Sequence, residues 1–239
     1  MIGYIEDKEF GKIKVELRRG MTSVRFAFQP DGRMVVRGPF GFPVEGILEA
    51  IERNREILRQ RFSVSNVPEF HIGRVIACYK CKVVIKVQRT HPGYVLSRVS
   101  DDGAVCHVSV HENSDISSIQ VKRTVSTVIG RMMAEQAKKH LLPYANEVAD
   151  ELGLKPARFE VGRGMRKLGH CTRTKVIQLS RNLMFMPEAL IRYVICHELA
   201  HLTHMDHSPE FHALCNQYCG GKEKELEQQL RQFKFPILK

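Results

Sequence analysis

Three short runs near the start of the chain alternate apolar and polar residues. Their apolar positions are Ile13, Val15 and Leu17, then Val24, Phe26 and Phe28, then Met34 and Val36. This period of two predicts half-buried strands. Asp31-Gly32, between the second and third runs, is typical of a hairpin turn, because glycine tolerates a positive φ there. We therefore expect a small antiparallel meander at the start of the chain.

Apolar spacing becomes helical after the meander. From residue 44 to residue 62, apolar side chains recur three or four apart among charged ones, which predicts one helix of about five turns. Alternation returns over residues 72–110 and predicts a second group of strands. Residues 1–115 are accordingly interpreted as an N-terminal β-rich region that includes one helix.

The rest of the sequence is mainly helical in pattern. A long amphipathic helix is predicted from residue 121, and Pro143 is expected to end, kink or restart it. Strands are predicted near Phe159–Val161 and Val176–Leu179, ahead of the last helical segments. No internal repeat is evident in the sequence. The whole pattern predicts an α+β protein whose second domain spans residues 116–239.

Composition limits the class of protein. With 239 residues, 43% of them apolar, the chain can bury a substantial core, which excludes disordered, collagen-like and coiled-coil proteins. No apolar run approaches the ~18 residues of a membrane helix, and the first residues lack the apolar core of a signal peptide. The seven cysteines are odd in number, so they are interpreted as reduced thiols or metal ligands. We expect a cytoplasmic protein with no membrane partner.

Positive charge is concentrated in one part of the chain. The 37 basic and 26 acidic residues give a formal net charge of +11. The densest basic stretch runs from Arg163 to Arg181 and contains no acidic residue. Such a stretch attracts anions, so a nucleotide or a nucleic acid is a candidate partner.

His197-Glu198-Leu199-Ala200-His201 forms the H-E-x-x-H pattern of zinc hydrolases. Apolar residues around the motif keep helical spacing, which predicts that it lies on a buried helix. Residues i and i+4 share one helix face, so both imidazoles can reach one metal ion. Glu198 lies about 100° around the helix and can act on a water molecule at the metal without being a ligand. The motif therefore predicts Zn²⁺ as cofactor and Glu198 as general base.

Catalytic zinc normally has three protein ligands, so a third ligand is expected. His204 shares the helix face but lies ~5.4 Å further along the axis than His201, which disfavours convergence on the same ion. His207 precedes Ser208-Pro209, residues that typically cap and begin a helix, so it is predicted to lie in a turn that folds back onto the metal. We predict that His197, His201 and His207 bind the metal and that His204 lines the pocket or supports it. Imidazole ligands also suit other divalent transition metals.

Several segments around and before this motif carry a family resemblance. They are His197-Glu198-Leu199-Ala200-His201-Leu202, His207-Ser208-Pro209-Glu210-Phe211, Gly169-His170-Cys171, Val176-Ile177-Gln178-Leu179-Ser180-Arg181-Asn182-Leu183, Arg18-Arg19 and Asp31-Gly32-Arg33-Met34-Val35-Val36-Arg37-Gly38-Pro39. On these segments the chain resembles the YgjP-like metallopeptidase domain family and, more distantly, the SprT/Spartan type of zinc protease. The resemblance spans most of the chain and is weakest over residues 66–127.

The resemblance implies a zincin-like C-terminal domain with zinc on His197, His201 and His207 and with Glu198 as general base. Leu168 stands where the family usually has Trp, and His170 stands where it usually has Ser, which implies an altered substrate pocket. Some members of the family are described as nucleotide pyrophosphatases rather than peptidases. The resemblance therefore leaves the substrate class open.

Two enzymatic hypotheses share this metal site. In the first, the protein is a metallopeptidase, and the strand Lys175–Ser180 pairs with an extended peptide or protein substrate. In the second, it is a nucleoside triphosphate pyrophosphatase, whose basic stretch 163–181 holds phosphate groups. His170, Arg173 and His204 are the candidate substrate-binding residues in either case.

A third hypothesis is a nucleic-acid-associated binding module with structural zinc. Cys78-Tyr79-Lys80-Cys81 has the spacing of a zinc knuckle, and Cys106-His107 would complete four ligands. Against it, Val75–Val87 is interpreted as one strand, on which residues three apart point to opposite faces.

Overall fold

A computed structural model of the chain describes residues 2–28, 34–64, 69–89, 91, 93–163 and 167–237. These residues divide into two compact units, one formed by Met1–Glu69 with Ile237–Lys239 and one formed by Phe70–Pro236. Along the chain, the boundary between the two units falls between residues 69 and 70. The sequence pattern places a boundary between residues 115 and 116 instead. The latter stays a prediction about the extent of the hydrolase domain.

The first unit is built on a four-stranded sheet. Its strands are β1 (Ile2–Asp7), β2 (Gly11–Arg18), β3 (Arg25–Phe28) and β4 (Met34–Pro39), in the order β1-β2-β4-β3. The two outer pairs are antiparallel, but the central pair β2–β4 is parallel. The expected antiparallel meander is therefore wrong at this pair, because β3 forms part of a crossover that returns the chain in the direction of β2. The expected Asp31-Gly32 turn lies outside the described residues.

Two helices, not one, follow this sheet. They are α1 (Val44–Arg53) and α2 (Arg55–Val64), and Asn54 separates them. The Asn54 side-chain amide donates to the carbonyl oxygen of Ala50 at 2.8 Å, a local bond that competes with the helical backbone pattern. The single helix expected over residues 44–62 is thus interrupted at its middle.

The turn between β1 and β2 is fixed by one carboxylate. Asp7 Oδ1 accepts hydrogen bonds from the backbone N–H groups of Glu9 and Phe10, at 2.9 and 3.0 Å. Arg55 donates to the same carboxylate, with 2.9 Å between Nη2 and Oδ2. Phe10, the residue held by this turn, is fully buried in the core of the unit. One ionised group therefore ties a turn, a helix and the core together.

The second unit begins with another four-stranded sheet. Its strands are β5 (Val75–Cys78), β6 (Cys81–Gln88), β7 (Val95–Val99) and β8 (Val105–His111), in the order β5-β6-β8-β7. Its pairs are antiparallel, parallel and antiparallel, as in the first sheet. Buried Val83 and Ile85 of β6 occupy the places of buried Ile13 and Val15 of β2, 70 residues earlier. The two sheets therefore share one topology, although no repeat is evident in the sequence.

A tight turn interrupts the segment interpreted as one strand. Cys78 and Cys81 are direct partners across the β5–β6 hairpin, with Tyr79 and Lys80 between them. Lys80 has φ 59°, which is a left-handed conformation. The sequence does not predict it, because this conformation usually favours glycine. The two thiol-bearing residues thus share one face, contrary to the expectation that they point apart.

An α-helix restarts near Pro143, and no non-helical residue separates it from the helix before it. Helix α3 (Ile119–Gln136) leads into a π-helical turn (Ala137–Leu141) and then into α4 (Leu142–Glu151). Pro143 stands in the first turn of α4, where its missing N–H is tolerated, so the predicted restart is confirmed.

The site is assembled on a third sheet and the last helices. The strands are β9 (Arg158–Gly162), β10 (Gly169–Cys171) and β11 (Val176–Ser180), in the order β10-β11-β9, and the helices are α5 (Glu188–Ala200), α6 (Pro209–Tyr218) and α7 (Glu223–Gln232). The strands expected near Phe159–Val161 and Val176–Leu179 and the α+β class are confirmed. β11 lies between β9 and β10, so the expected pairing of substrate with Lys175–Ser180 is wrong.

Membrane insertion finds no support in the helices. Within the part of the chain that the structure describes, none is long and apolar enough to cross a bilayer.

We expect Asp7→Asn to lower the free energy of unfolding at pH 7 by about 2 kcal/mol, because the Arg55 guanidinium holds the pKa of Asp7 at about 2. The folded pKa lies below the ordinary value of 3.8, so this stability is present above pH 4 and is lost as the pH falls towards 2. Denaturant unfolding followed by circular dichroism measures the difference.

The matched control is Glu56→Gln, which removes an exposed ion pair with Arg59 and should cost less than about 1 kcal/mol. Equal losses in the two variants, or a loss in Asp7→Asn that persists at pH 2, would contradict the role of Asp7.

Candidate metal centre

Helix α5 places two imidazoles and one carboxylate in a fixed relation. His197 and Glu198 lie in its last turn, and His201 is its C-cap residue. Ile191, Ile195 and other apolar residues of the helix are fully buried, so its axis and rotation are set by the core. Because His197 and His201 are four residues apart, they lie on the same face.

The turn after α5 brings a third imidazole to this face. His207 immediately precedes Ser208, whose hydroxyl accepts a hydrogen bond from the backbone N–H of Phe211 at 3.3 Å and so caps α6. Pro209 occupies the first turn of α6. The sharp start of this helix reverses the chain where His207 stands, as the sequence predicts.

Phe211 packs against all three histidines. It is fully buried, and its ring centroid lies 4.9 Å from that of His197, 4.4 Å from that of His201 and 4.8 Å from that of His207. This apolar ring limits the rotamers that the imidazoles can adopt. Phe211 was part of the family resemblance, but its place under the histidines could not be inferred from spacing.

The three imidazoles can share one metal ion. One ring nitrogen from each of His197, His201 and His207 lies within 4.8 Å of the others. The Nε2 atoms of His197 and His207 are 3.2 Å apart. Two nitrogens bound tetrahedrally to zinc, each at 2.0–2.1 Å, are separated by about 3.3 Å. The donor set therefore fits a tetrahedral ion.

A backbone hydrogen bond fixes the tautomer of one candidate ligand. His201 Nδ1 lies 2.9 Å from the carbonyl oxygen of His204, to which it can only donate. Its Nε2 is then unprotonated and free to bind a metal. His204 therefore supports the centre through its backbone, and its own ring is not among the groups that line the cleft.

Burial favours the neutral form of the two imidazoles on α5. Burial, reinforced by His201, His207 and His212, lowers the pKa of His197 to about 4. Burial also lowers the pKa of His201. Neutral imidazole is the form that binds metal ions.

Glu198 is held beside this group in a buried position. Glu198 is only 5% exposed, and this burial raises the pKa of its carboxyl group to about 7. The backbone N–H of Cys171 and the charge of Lys167 act in the opposite direction and lower the pKa. A Cβ atom added to Gly169 would overlap the Glu198 carboxylate. Gly169 therefore leaves the space that Glu198 occupies.

This arrangement gives Gly169-His170-Cys171 a structural role that the sequence left open. The three residues form β10, at the edge of its sheet, antiparallel to β11. The backbone N–H of Ser180 donates to the carbonyl oxygen of Leu168, and the N–H of Thr172 donates to that of Val176. These two bonds determine which residues of β10 are hydrogen-bonded to β11, since bonded and non-bonded pairs alternate along an antiparallel pair of strands. His170 is thus the residue bonded to β11, whereas the N–H and C=O groups of Gly169 and Cys171 point to the open edge.

An open cleft of about 530 Å³ surrounds the histidines. It is lined by Lys167, Leu168, Gly169, His170, Cys171, Tyr193, Val194, His197, Glu198, His201, Met205, His207, Glu227, Leu230 and Arg231. The three residues from α7 were missed in the sequence, because only the folded chain brings that last helix to the cleft. Burial raises the pKa of Tyr193, which keeps its hydroxyl protonated.

The other candidate substrate residues divide between cleft and surface. His170 lines the cleft and is exposed. Arg173 is exposed in the turn between β10 and β11 and does not line the cleft. Of the described basic residues between 163 and 181, Lys167 alone lines the cleft. The basic stretch therefore does not converge on the histidines.

The alternative zinc site finds no matching geometry. Among the described residues, His197, His201 and His207 form the only group of three or more potential ligands within 4.8 Å of one another. Cys106 is buried and adjoins His107 on β8, so their side chains point to opposite faces of the sheet. A four-ligand site on Cys78, Cys81, Cys106 and His107 is not favoured.

Comparison with known proteins adds an independent finding. No curated protein and no solved structure matches the chain. A family model described as YgjP-like, metallopeptidase domain, matches residues 22–233, which include the three histidines, Glu198 and β10. The chain therefore belongs to the YgjP-like metallopeptidase domain family.

Proposed function

We propose that this chain is a zinc-dependent peptidase. The observation that carries the proposal is the placement of three imidazoles and a buried carboxylate in one cleft beside the edge strand β10. Family membership supports a metal-dependent hydrolase. The choice of zinc rests on the three imidazole donors, a set typical of catalytic zinc.

His197, His201 and His207 would hold the ion. When bound, zinc supplies the Lewis acidity that makes water a nucleophile near neutral pH. Phe211 and the carbonyl of His204 keep the imidazoles oriented for this task. Because these two groups hold the imidazoles in place, less rearrangement of the ligands is needed when zinc binds.

Glu198 acts as the general base. It accepts a proton from the attacking water and transfers it to the leaving amine. The raised pKa of about 7 suits both steps, because the group can take and release a proton near neutral pH. The N–H of Cys171 holds the carboxylate in place.

Strand β10 orients the substrate. The backbone groups of Gly169 and the carbonyl of Cys171 face the open edge of the sheet and can pair with an extended peptide. This pairing recognises any peptide backbone, and the cleft walls from α5 and α7 then contact the side chains. The peptide is favoured over a nucleotide because, of the described basic residues between 163 and 181, only Lys167 lines the cleft.

Removal of one imidazole should impair metal binding. We expect His207→Ala to weaken zinc affinity by more than about tenfold, because a direct ligand matters at least as much as the outer groups that support it. His204→Ala is the matched control, since it keeps the carbonyl that orients His201. Titration calorimetry with zinc measures both, and equal zinc affinities in the two variants would contradict the ligand set.

Removal of the base should impair turnover alone. We expect Glu198→Gln to keep zinc binding and to lower the rate of casein cleavage about 10²–10⁴-fold. Glu188→Gln, an exposed change in the first turn of the same helix, should leave the rate unchanged. A Glu198→Gln variant that cleaves casein at the normal rate would refute the mechanism.

The same preparations decide the substrate class. Wild-type protein with zinc or manganese is incubated with casein or with nucleoside triphosphates. New peptide amino groups, dependent on Glu198, support the peptidase. Diphosphate released without peptide cleavage would overturn it in favour of the pyrophosphatase.

A methyl group at Gly169 tests the placement of the base. We expect Gly169→Ala to lower casein cleavage at least about tenfold with zinc binding retained, because the added Cβ displaces the Glu198 carboxylate. Gly3→Ala is the control, since a Cβ there meets nothing within 4 Å. Unchanged cleavage by Gly169→Ala would show that Glu198 does not depend on this space.

A further inference from the structure

Two arginines lie side by side where two parallel strands end. β9 and β11 are parallel neighbours, and Gly162 pairs with Ser180 at their carboxyl ends. Arg163 follows the first strand directly, and Arg181 follows the second. Their positions are far apart in the sequence but adjacent at this sheet edge.

A third arginine lies on α3, next to the residue at which this helix contacts Arg181. The Arg181 guanidinium packs on Gly130 of this helix, and a Cβ added to Gly130 would lie 2.8 Å from Arg181 Nη2. Arg131 is the next residue of the helix. Arg131 and Arg163 are exposed, whereas Arg181 is partly buried at the base of the group.

Arg131, Arg163 and Arg181 are here called the arginine cluster. No carboxylate among the described residues forms an ion pair with them. Burial lowers the pKa of Arg181, and the charges of Arg163 and Arg131 lower it further. Arg181 Nε is buried with no hydrogen-bond partner among the described residues. This buried N–H donor therefore lacks the acceptor that buried polar groups normally have, and a bound anion would supply one.

Nearby acidic residues are engaged with other cations. Glu135, one turn after Arg131, pairs with Lys138 at 2.9 Å. Glu160 of β9 pairs with Arg158 at 2.7 Å. Within the described ranges, no member of the arginine cluster forms an ion pair.

We propose that the arginine cluster binds a phosphate group. Guanidinium donors match the oxygens of phosphate in geometry and charge, and three of them suit a dianion better than a single carboxylate. The two exposed arginines admit a ligand from solution, and Arg181 closes the base of the site. None of the three lines the cleft of the metal centre, so this site is independent of the proposed peptidase activity.

Titration calorimetry of the full chain with inorganic phosphate, at constant ionic strength, tests the proposal. We expect saturable binding to the wild type and an affinity at least about tenfold lower in Arg131→Gln and in Arg163→Gln. Both substitutions lie at exposed positions, so the fold is retained. Arg173→Gln removes the same charge from an exposed turn outside the cluster and should bind phosphate normally.

A parallel titration with adenosine monophosphate distinguishes a free phosphate from a nucleotide phosphate as the source of the ligand. Tighter binding of either one, lost in the same two variants, supports the site and identifies its source. Three results would overturn the proposal. The first is that neither ligand shows saturable binding, and the second is that Arg173→Gln loses as much affinity as the two cluster variants. The third is that Arg131→Gln and Arg163→Gln keep the full affinity, which is the result expected if phosphate binds at the metal centre.

Discussion

The candidate metal centre depends on the reversal of the chain between α5 and α6. A helix can offer two imidazoles four residues apart to one ion, but the next residue on that face lies too far along the axis. The third imidazole must therefore come from a turn. Ser208 and Pro209 start α6 directly after His207, and the buried ring of Phe211 then packs under the histidines. The same short segment thus sets both the ligand geometry and its apolar support.

The proposed base, Glu198, is positioned by the sheet as well as by its own helix. Glu198 extends from α5 towards β10, where Gly169 leaves space and Cys171 supplies a backbone N–H. An edge strand is the one kind of strand that can hold such a carboxylate and still offer backbone groups to a ligand. The resemblance in the sequence marked Gly169-His170-Cys171, but the reason for a glycine there is a contact with a residue about thirty positions later.

Local chemistry was readable from the sequence, and long-range pairing was not. The helix with His197 and His201, the turn at His207 and the restart at Pro143 each follow from neighbouring residues. The parallel β2–β4 pair depends on a crossover that no local pattern specifies. The repeated sheet topology shares few identities, because only its buried positions, such as Ile13 and Val83, are constrained in type. The turn at Lys80 is not predicted by the sequence, because a lysine occupies a conformation that usually favours glycine.

Basic residues that are close in the sequence between 163 and 181 do not form one charged surface in the folded protein. Folding sends Lys167 to the cleft, leaves Arg173 on an exposed turn and gathers Arg163 and Arg181 with Arg131 of a distant helix. Field strength depends on distance in space, so the charges that act together are those the sheet edge brings together. A cleft to which the described part of this stretch contributes one basic residue is better suited to a peptide backbone than to a polyphosphate. The proposed anion site therefore lies at the carboxyl ends of β9 and β11, among residues that do not line the cleft of Glu198.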